Sequence, residues 1–343
     1  MGLAVGCNRD NPESMIASGK DFLAKNDHKS ATIQFKNALQ QNPNLGEARF
    51  LLGKALLDSG DMAGAEIELR KALELKYPAD LAVPPLAQAL LGTGQAKKII
   101  DEFANLDLPA GEPAASLKTT LSLAYLAQGN GEASASALAA ALAAQSDYAP
   151  ALLTSARSRA SNKDISGALT VVDGVLAKSP NNHEALLLKG SLLAVQGDQG
   201  AAFEFYRKAV DAKPDFLPAH SAIINSLLQQ GKLDDAAAQV DALKKIAPKH
   251  PQTVFLEAQL AYQRKDYKLA RELSEQLLKI APNNPGTLQL AGAIEYQLRS
   301  YLQAESYLSQ ALKQAPQMPL ARRLLISTFL RSGQPAKALT AIQ

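Results

Sequence analysis

Apolar residues along most of this chain recur every three to four positions, as in Ala185, Leu186, Leu188, Leu192 and Leu193, and again in Ala201, Ala202, Phe205, Tyr206 and Ala209. That spacing gathers them on one face of a helix, so each such segment is predicted to form an amphipathic helix of about three to four turns. The helices fall into a larger period. Pro180, Pro214, Pro248, Pro282 and Pro316 follow one another at a spacing of 34 residues. A proline cannot donate to the helical ladder and restricts the residue before it, so each one closes a unit and sets the start of the next. A constant period of this size marks a repeat array.

Other positions keep the same register. Gly53, Gly190 and Gly292 occupy a slot where one helix approaches its neighbour without an intervening Cβ. A second glycine slot, with Gly60, Gly94, Gly129, Gly197, Gly231 and Gly333, marks the turn between the paired helices. Ala31, Ala65, Ala168, Ala202, Ala236, Ala270, Ala304 and Ala338 share a third slot, suited to a close helix crossing. Four residues on, a larger apolar group fills the same seam in Phe35, Leu69, Phe103, Leu138, Val172, Tyr206, Val240 and Leu308, with Ser274 as the departure. These slots describe one helical hairpin, repeated, in an all-α chain.

The succession of Gly, Ala, aromatic and Pro at these slots resembles the tetratricopeptide repeat family over nearly the whole chain, although no tryptophan fills the family's first aromatic slot. The resemblance implies an α-solenoid of about ten hairpins in a right-handed superhelix. It also implies a non-catalytic scaffold whose concave surface, formed mainly by the first helix of each unit, holds partners.

By this register residues 11–146 carry repeats one to four and residues 147–343 repeats five to ten. From 78 to 146 the register loosens, with an extra residue, the pair Pro84 and Pro85, and the stretch from Pro109 to Pro113. Such loosening is expected at a bend or irregular joint, and repeat arrays accept it at little cost. The alanine-rich run from Ala133 to Ala144 reads as an ordinary second helix. The last repeat stops midway through its second helix, so Ala336, Ala338, Leu339 and Ile342 are expected to be partly uncovered, as in a fragment of a longer array.

Composition narrows the function classes. Net charge is +3 with both signs interleaved, which leaves no basic stripe for nucleic acid. A single cysteine excludes an internal disulfide framework and a cysteine-based zinc cluster. That cysteine is Cys7, preceded by Ala4, Val5 and Gly6 and followed by the polar run from Asn8. The four residues resemble the end of a bacterial lipoprotein signal, so residues 1–10 read as a signal remnant and tether. The resemblance implies an acylated Cys7 that anchors the chain to a membrane without spanning it. Asn8 in place of an aspartate implies the outer membrane, facing the periplasm. A full signal needs a longer apolar run than the six residues before Cys7, so the natural start is expected upstream. The alternative is a free thiol on a cytoplasmic adaptor.

No constellation of catalytic groups emerges, and neither a metal nor another cofactor is expected. His28, His183, His220 and His250 lack the spacing of a helical metal site and read as solvent-exposed. Gly92-Thr93-Gly94 is a turn without the lysine and hydroxyl of a phosphate loop. Asp234 and Asp235 sit at a helix start, where they complement the macrodipole.

The remaining candidate is the concave surface. Carrying the family's groove positions over by register selects Asn225 and Gln229, then Phe255, Gln259, Tyr262 and Gln263, then Gln289, Tyr296 and Gln297. Amides beside aromatic rings suit the backbone of an extended peptide or the hydroxyls of a polysaccharide. The family's carboxylate clamp for chaperone tails is not expected, because Ser221 and Leu256 stand where its lysine and second asparagine would be, although Asn225 fits one slot. Cys7-Asn8, residues 19–23 and residues 35–40 look most similar to tetratricopeptide lipoproteins of bacterial PEP-CTERM/exosortase and exopolysaccharide systems. An assembly lipoprotein for a secretin or pilus and a cytosolic adaptor are the alternatives.

Overall fold

The computed structural model describes residues 11–342. Cys7 and the residues resembling a lipoprotein signal lie outside the described residues. Among those described, every regular element is a helix. They alternate as paired first and second helices: α1 (Pro12–Ala24) with α2 (His28–Gln41), α3 (Gly46–Asp58) with α4 (Met62–Glu74), α5 (Ala79–Gly92) with α6 (Ala96–Phe103). Then come α7 (Glu112–Ala127) with α8 (Gly131–Ala144), α9 (Ala149–Ser161) with α10 (Ile165–Lys178), α11 (His183–Val195) with α12 (Gln199–Ala212). The rest are α13 (Leu217–Gln229) with α14 (Leu233–Ile246), α15 (Pro251–Gln263) with α16 (Tyr267–Ile280), α17 (Pro285–Gln297) with α18 (Tyr301–Gln314), and α19 (Pro319–Arg331) with α20 (Pro335–Ile342). The chain divides between Val175 and Leu176 into two compact units.

Each turn shows why the pairs form where they do. Gly60 and Gly197 take φ of 87° and 91°, the left-handed conformation that a glycine adopts without penalty. The next residue, Asp61 or Asp198, accepts the N–H three positions on at 2.9 Å and so caps the second helix. Asn26, Lys163, Lys265 and Arg299 hold the same left-handed position in other hairpins, at a cost of about 1 kcal/mol each.

The seam between paired helices is a matched set of volumes. The alanine slot is sealed from solvent from Ala31 through Ala304. Where the first helix carries Gly53, Gly190 or Gly292, the space a Cβ would need is filled by Leu69, Tyr206 or Leu308, at 2.6, 2.6 and 2.5 Å from the Cβ position. Where the first helix carries a side chain at that register, as at Ile224 and Ala258, the second supplies the smaller Val240 and Ser274, with Ala87 opposite Phe103 in the shortened hairpin as the exception. Ser274, the apparent departure, therefore follows the same rule, and its hydroxyl is satisfied by donating to the Arg271 carbonyl at 2.9 Å. In α7 and α8 the first-helix slot is Ser122 and the alanine slot is Ser134, which share a hydrogen bond of 3.0 Å, while Leu138 keeps the larger slot.

The loosened stretch is a shortened hairpin. Helix α6 ends after 8 residues at Phe103, and the chain runs on without helix to Gly111. Leu106 and Leu108 pack against the same core as Ile99 and Phe103, taking the place of the missing turns. Pro84 and Pro85 stay inside α5, where they remove the N–H donors for the Asp80 and Leu81 carbonyls. Helix α8 forms as expected, yet Ala141 is its one fully covered residue and Leu138 is only half-buried. At α20 one expectation is corrected: Ala338 is buried against the cluster containing Leu325 and Phe329, because its slot is the covered seam. Ala336 is exposed and Leu339 keeps 64% of its surface in solvent, while the Ile342 side chain lies outside the described residues.

Candidate partner-binding groove

Within the second unit, helices α13, α15, α17 and α19 together line a cavity of about 430 Å³. Asn225 and Gln229 lie one turn apart on α13, as do Gln259 and Gln263 on α15, so each pair shares a face. The 34-residue period brings Gln259 to the slot of Asn225, and Gln263 to that of Gln229. Of the nine groove positions selected from sequence, seven line this cavity: Asn225, Gln229, Phe255, Gln259, Tyr262, Gln263 and Gln289.

Tyr296 and Gln297 do not. Tyr296 turns toward Tyr301, with ring centroids 6.0 Å apart, and packs on the Leu308 and Phe329 cluster. Gln297 reaches back and donates from Nε2 to the Tyr262 hydroxyl at 3.4 Å, so it touches the wall without lining it. The residues that sequence reasoning missed are apolar: Leu228, Gly286, Leu290, Ala293, Leu320 and Leu324. The repeat period could have found several, since Ala293 is the Gln259 slot one unit on and Leu324 that of Leu290.

One group in the wall is incomplete. The Oε1 of Gln259 is buried and has no hydrogen-bond partner, an acceptor whose isolation costs about 1–3 kcal/mol. Behind the cavity, Arg271 on α16 donates from Nε and Nη2 to the two carboxylate oxygens of Glu295 on α17, at 2.7 and 2.5 Å. Glu295 is buried, and its hydrogen bonds and charge raise the Arg271 pKa further. The pair fixes α16 to α17 and keeps its charge out of the groove.

The clamp positions have other employment. Leu256 is fully buried, and the Ser221 hydroxyl donates to the Leu217 carbonyl at 2.9 Å. The histidines require a correction. His220 is buried, with Nε2 at 2.8 Å from the Pro214 carbonyl, because its first-turn position faces the preceding loop. His28 and His183 are half-buried, and the His183 pKa is lowered by burial and by nearby Lys213. Only His250 is exposed, where its ring accepts the Gln252 N–H at the start of α15. Among the described residues no three metal-binding side chains converge, and no helix is long and apolar enough to cross a membrane.

The family profile described as tetratricopeptide repeat matches residues 16–80, 119–182, 153–215, 222–285 and 290–343, well over half of the chain. The chain belongs to the tetratricopeptide repeat family. The crystal structure of yeast Tom70 shares the tetratricopeptide fold with a TM-score of 0.50 at 12% identity, over 97% of this chain and 84% of that one. A tetratricopeptide repeat protein from Parabacteroides merdae aligns with a TM-score of 0.43 at 16% identity, over 93% of this chain and 98% of that one. In sequence, 65 residues are 38% identical to "Uncharacterized protein y4yS" of Sinorhizobium fredii, which is 19% of this chain. The match spans 36% of that relative's length. Tetratricopeptide arrays are protein-binding scaffolds, and nothing in this one points to enzymatic activity.

Proposed function

We propose that this tetratricopeptide chain is a cell-envelope scaffold that binds a protein partner in the cavity between α13 and α19. The observation that carries this reading is the convergence of Asn225, Gln229, Phe255, Gln259, Tyr262, Gln263 and Gln289 on one concave site of about 430 Å³. A volume of that order is typical of a ligand site, and amides beside rings can pair with a peptide backbone. Polysaccharide hydroxyls present similar donors and acceptors and are the second reading of the same lining. A lipid on Cys7 would hold the scaffold at the outer membrane, facing the periplasm. The likeness of residues 19–23 and 35–40 to lipoproteins of PEP-CTERM/exosortase and exopolysaccharide systems supports a role in sorting or export.

Two measurements test it. A displayed library of random peptides is panned on the chain, and binders are re-measured on a variant with Gln259, Tyr262 and Gln263 all changed to alanine. At least tenfold weakening with unchanged helical content is expected, and equal binding would place the site elsewhere. Labelling with a palmitate analogue is expected to mark the native product and not Cys7→Ser, with the label in the outer-membrane fraction; an unlabelled, freely fractionating product would remove the envelope tether.

A further inference from the structure

A second cavity, of about 400 Å³, adjoins the groove and shares two of its walls, Phe255 and Gly286. It lies where α15, α16 and the start of α17 meet, and its remaining walls are mainly apolar: Pro251, Leu277, Ile280, Ala281 and Pro285. None of these residues belongs to the groove set that the repeat register selects. Ile280 keeps 67% of its surface in solvent, and Leu320 across the larger cavity keeps 46%, so apolar area is left uncovered in both. A fifth of the chain is charged, yet neither cavity has a single charged lining residue.

We infer that the two cavities form one bipartite site for an uncharged, extended peptide segment that carries an apolar anchor. The inference rests on the groove being the partner site. In the larger cavity the peptide backbone runs between the amides of Asn225, Gln229, Gln259, Gln263 and Gln289. In the smaller cavity an aliphatic or aromatic side chain packs against Leu277, Ile280 and the two prolines, with Phe255 as the partition. Burying that anchor removes apolar area from water, which the uncovered Ile280 otherwise exposes. A charged residue would lose its hydration with no counter-charge to meet it, so both a carboxylate tail and a basic segment are excluded from these walls.

The test uses peptides selected from a random displayed library on the full chain. The enriched sequences are expected to lack Asp, Glu, Lys and Arg over the bound core and to keep one large apolar position. Ile280→Lys, which sits at the exposed end of α16 and suits a helix C-terminus, is expected to weaken them at least tenfold with an unchanged circular dichroism spectrum. Gln259→Leu is expected to weaken them about fivefold to tenfold and to leave the apolar preference intact. Binders that need Gln259 and Tyr262 but ignore Ile280→Lys would overturn the bipartite site while leaving the groove reading standing. Enriched sequences rich in charge would overturn the neutral-peptide assignment. No enrichment at all, or binding indifferent to every groove variant, would overturn the groove reading itself.

Discussion

The two units each hold a concave cavity of nearly the same volume, about 420 Å³ in the first and about 430 Å³ in the second, with opposite chemistry. In the first, Lys54, Asp58, Asp80 and Glu112 stand among Pro84, Pro85 and Pro113. In the second there is no charge, only amides, a tyrosine and apolar walls. Both are built from first helices and from the same hairpin. The repeat therefore dictates where a cavity forms but not what lines it. Seam slots must hold Gly, Ala or a matched large residue, whereas groove slots touch no neighbour strongly enough to be dictated. Asp80 and Glu112 also have a local reason to be present, since each lies in the first turn of its helix and favours the positive end of the dipole.

The largest effect expected from one substitution lies behind the uncharged cavity. Arg271→Met would leave Glu295, whose side chain is 7% exposed, buried without its partner, a loss of about 3 kcal/mol. Hydrogen exchange should accelerate in α16 and α17 and stay unchanged in α1 to α4. Adding Glu295→Leu should recover most of the loss, because the cost lies in the stranded charge. Slow amides in α16 and α17 that ignore Arg271→Met would mean that the pair does not hold the back wall.

A somewhat smaller loss, about 1–3 kcal/mol, is expected from Gly292→Ala, since the new Cβ would sit 2.5 Å from Leu308 Cγ. Combining it with Leu308→Val recreates the Ala156 and Val172 combination of the first unit and should restore part of the stability. The opposite change, Ala258→Gly, should cost only about 0.5–1 kcal/mol, the price of a flexible residue in a helix. Thermal melts of the three variants decide whether the seam of the second unit obeys a volume rule.

The fold was almost wholly legible because the seam is periodic: Ala31 through Ala304, the turn glycines and the prolines each mark a slot that packing enforces. The groove was legible where its residues are polar or aromatic, so Gln259 and Tyr262 were found while Leu228, Leu290 and Leu324 were not. An apolar groove residue looks like core until the neighbouring helices are in place. The smaller cavity was illegible for a further reason, since it is made by the end of α16 meeting the start of α17. His220 misled for the same cause: only the fold shows that its ring packs back on the loop at Pro214. Tyr296 and Gln297 occupy groove register, but their contacts with Tyr301 and Tyr262 draw them off the lining.

Acid should separate the units more gently. Burial pushes the Glu66 carboxyl up, but hydrogen bonds from Lys98, Gln95 and Arg70 outweigh it and bring its pKa down from 4.5 to about 2. A folded-state pKa below the unfolded value gives stability that is complete above pH 4.5 and is lost as pH falls toward 2. The site is partly solvated, so no more than about 1 kcal/mol is expected. The advantage of the wild type over Glu66→Gln in thermal melts should shrink across that window. Glu305 in the second unit has the equivalent Gln334 and Lys337 contacts, at 3.3 and 2.9 Å, but Ser309 stands where Arg70 would be. A pH-independent difference between wild type and Glu66→Gln would show that the carboxylate adds nothing through its charge.

The smallest effect is the most discriminating between the two cavities. Raising salt from about 0.1 M to about 1 M shortens the screening length from about 10 Å to about 3 Å, so any affinity that comes from charge pairs falls steeply. A neutral peptide held by amides and apolar walls has no such component, and its affinity should change by no more than about twofold. If a change appears with a kosmotropic salt such as sulfate, its direction is informative, because such a salt strengthens apolar burial. A tenfold loss would mean that opposite charges meet in the bound state. The uncharged groove of the second unit cannot supply them, so the peptide would have to sit elsewhere, in the cavity of Asp58, Asp80 and Glu112 or in that of Arg207, Asp211 and Asp235.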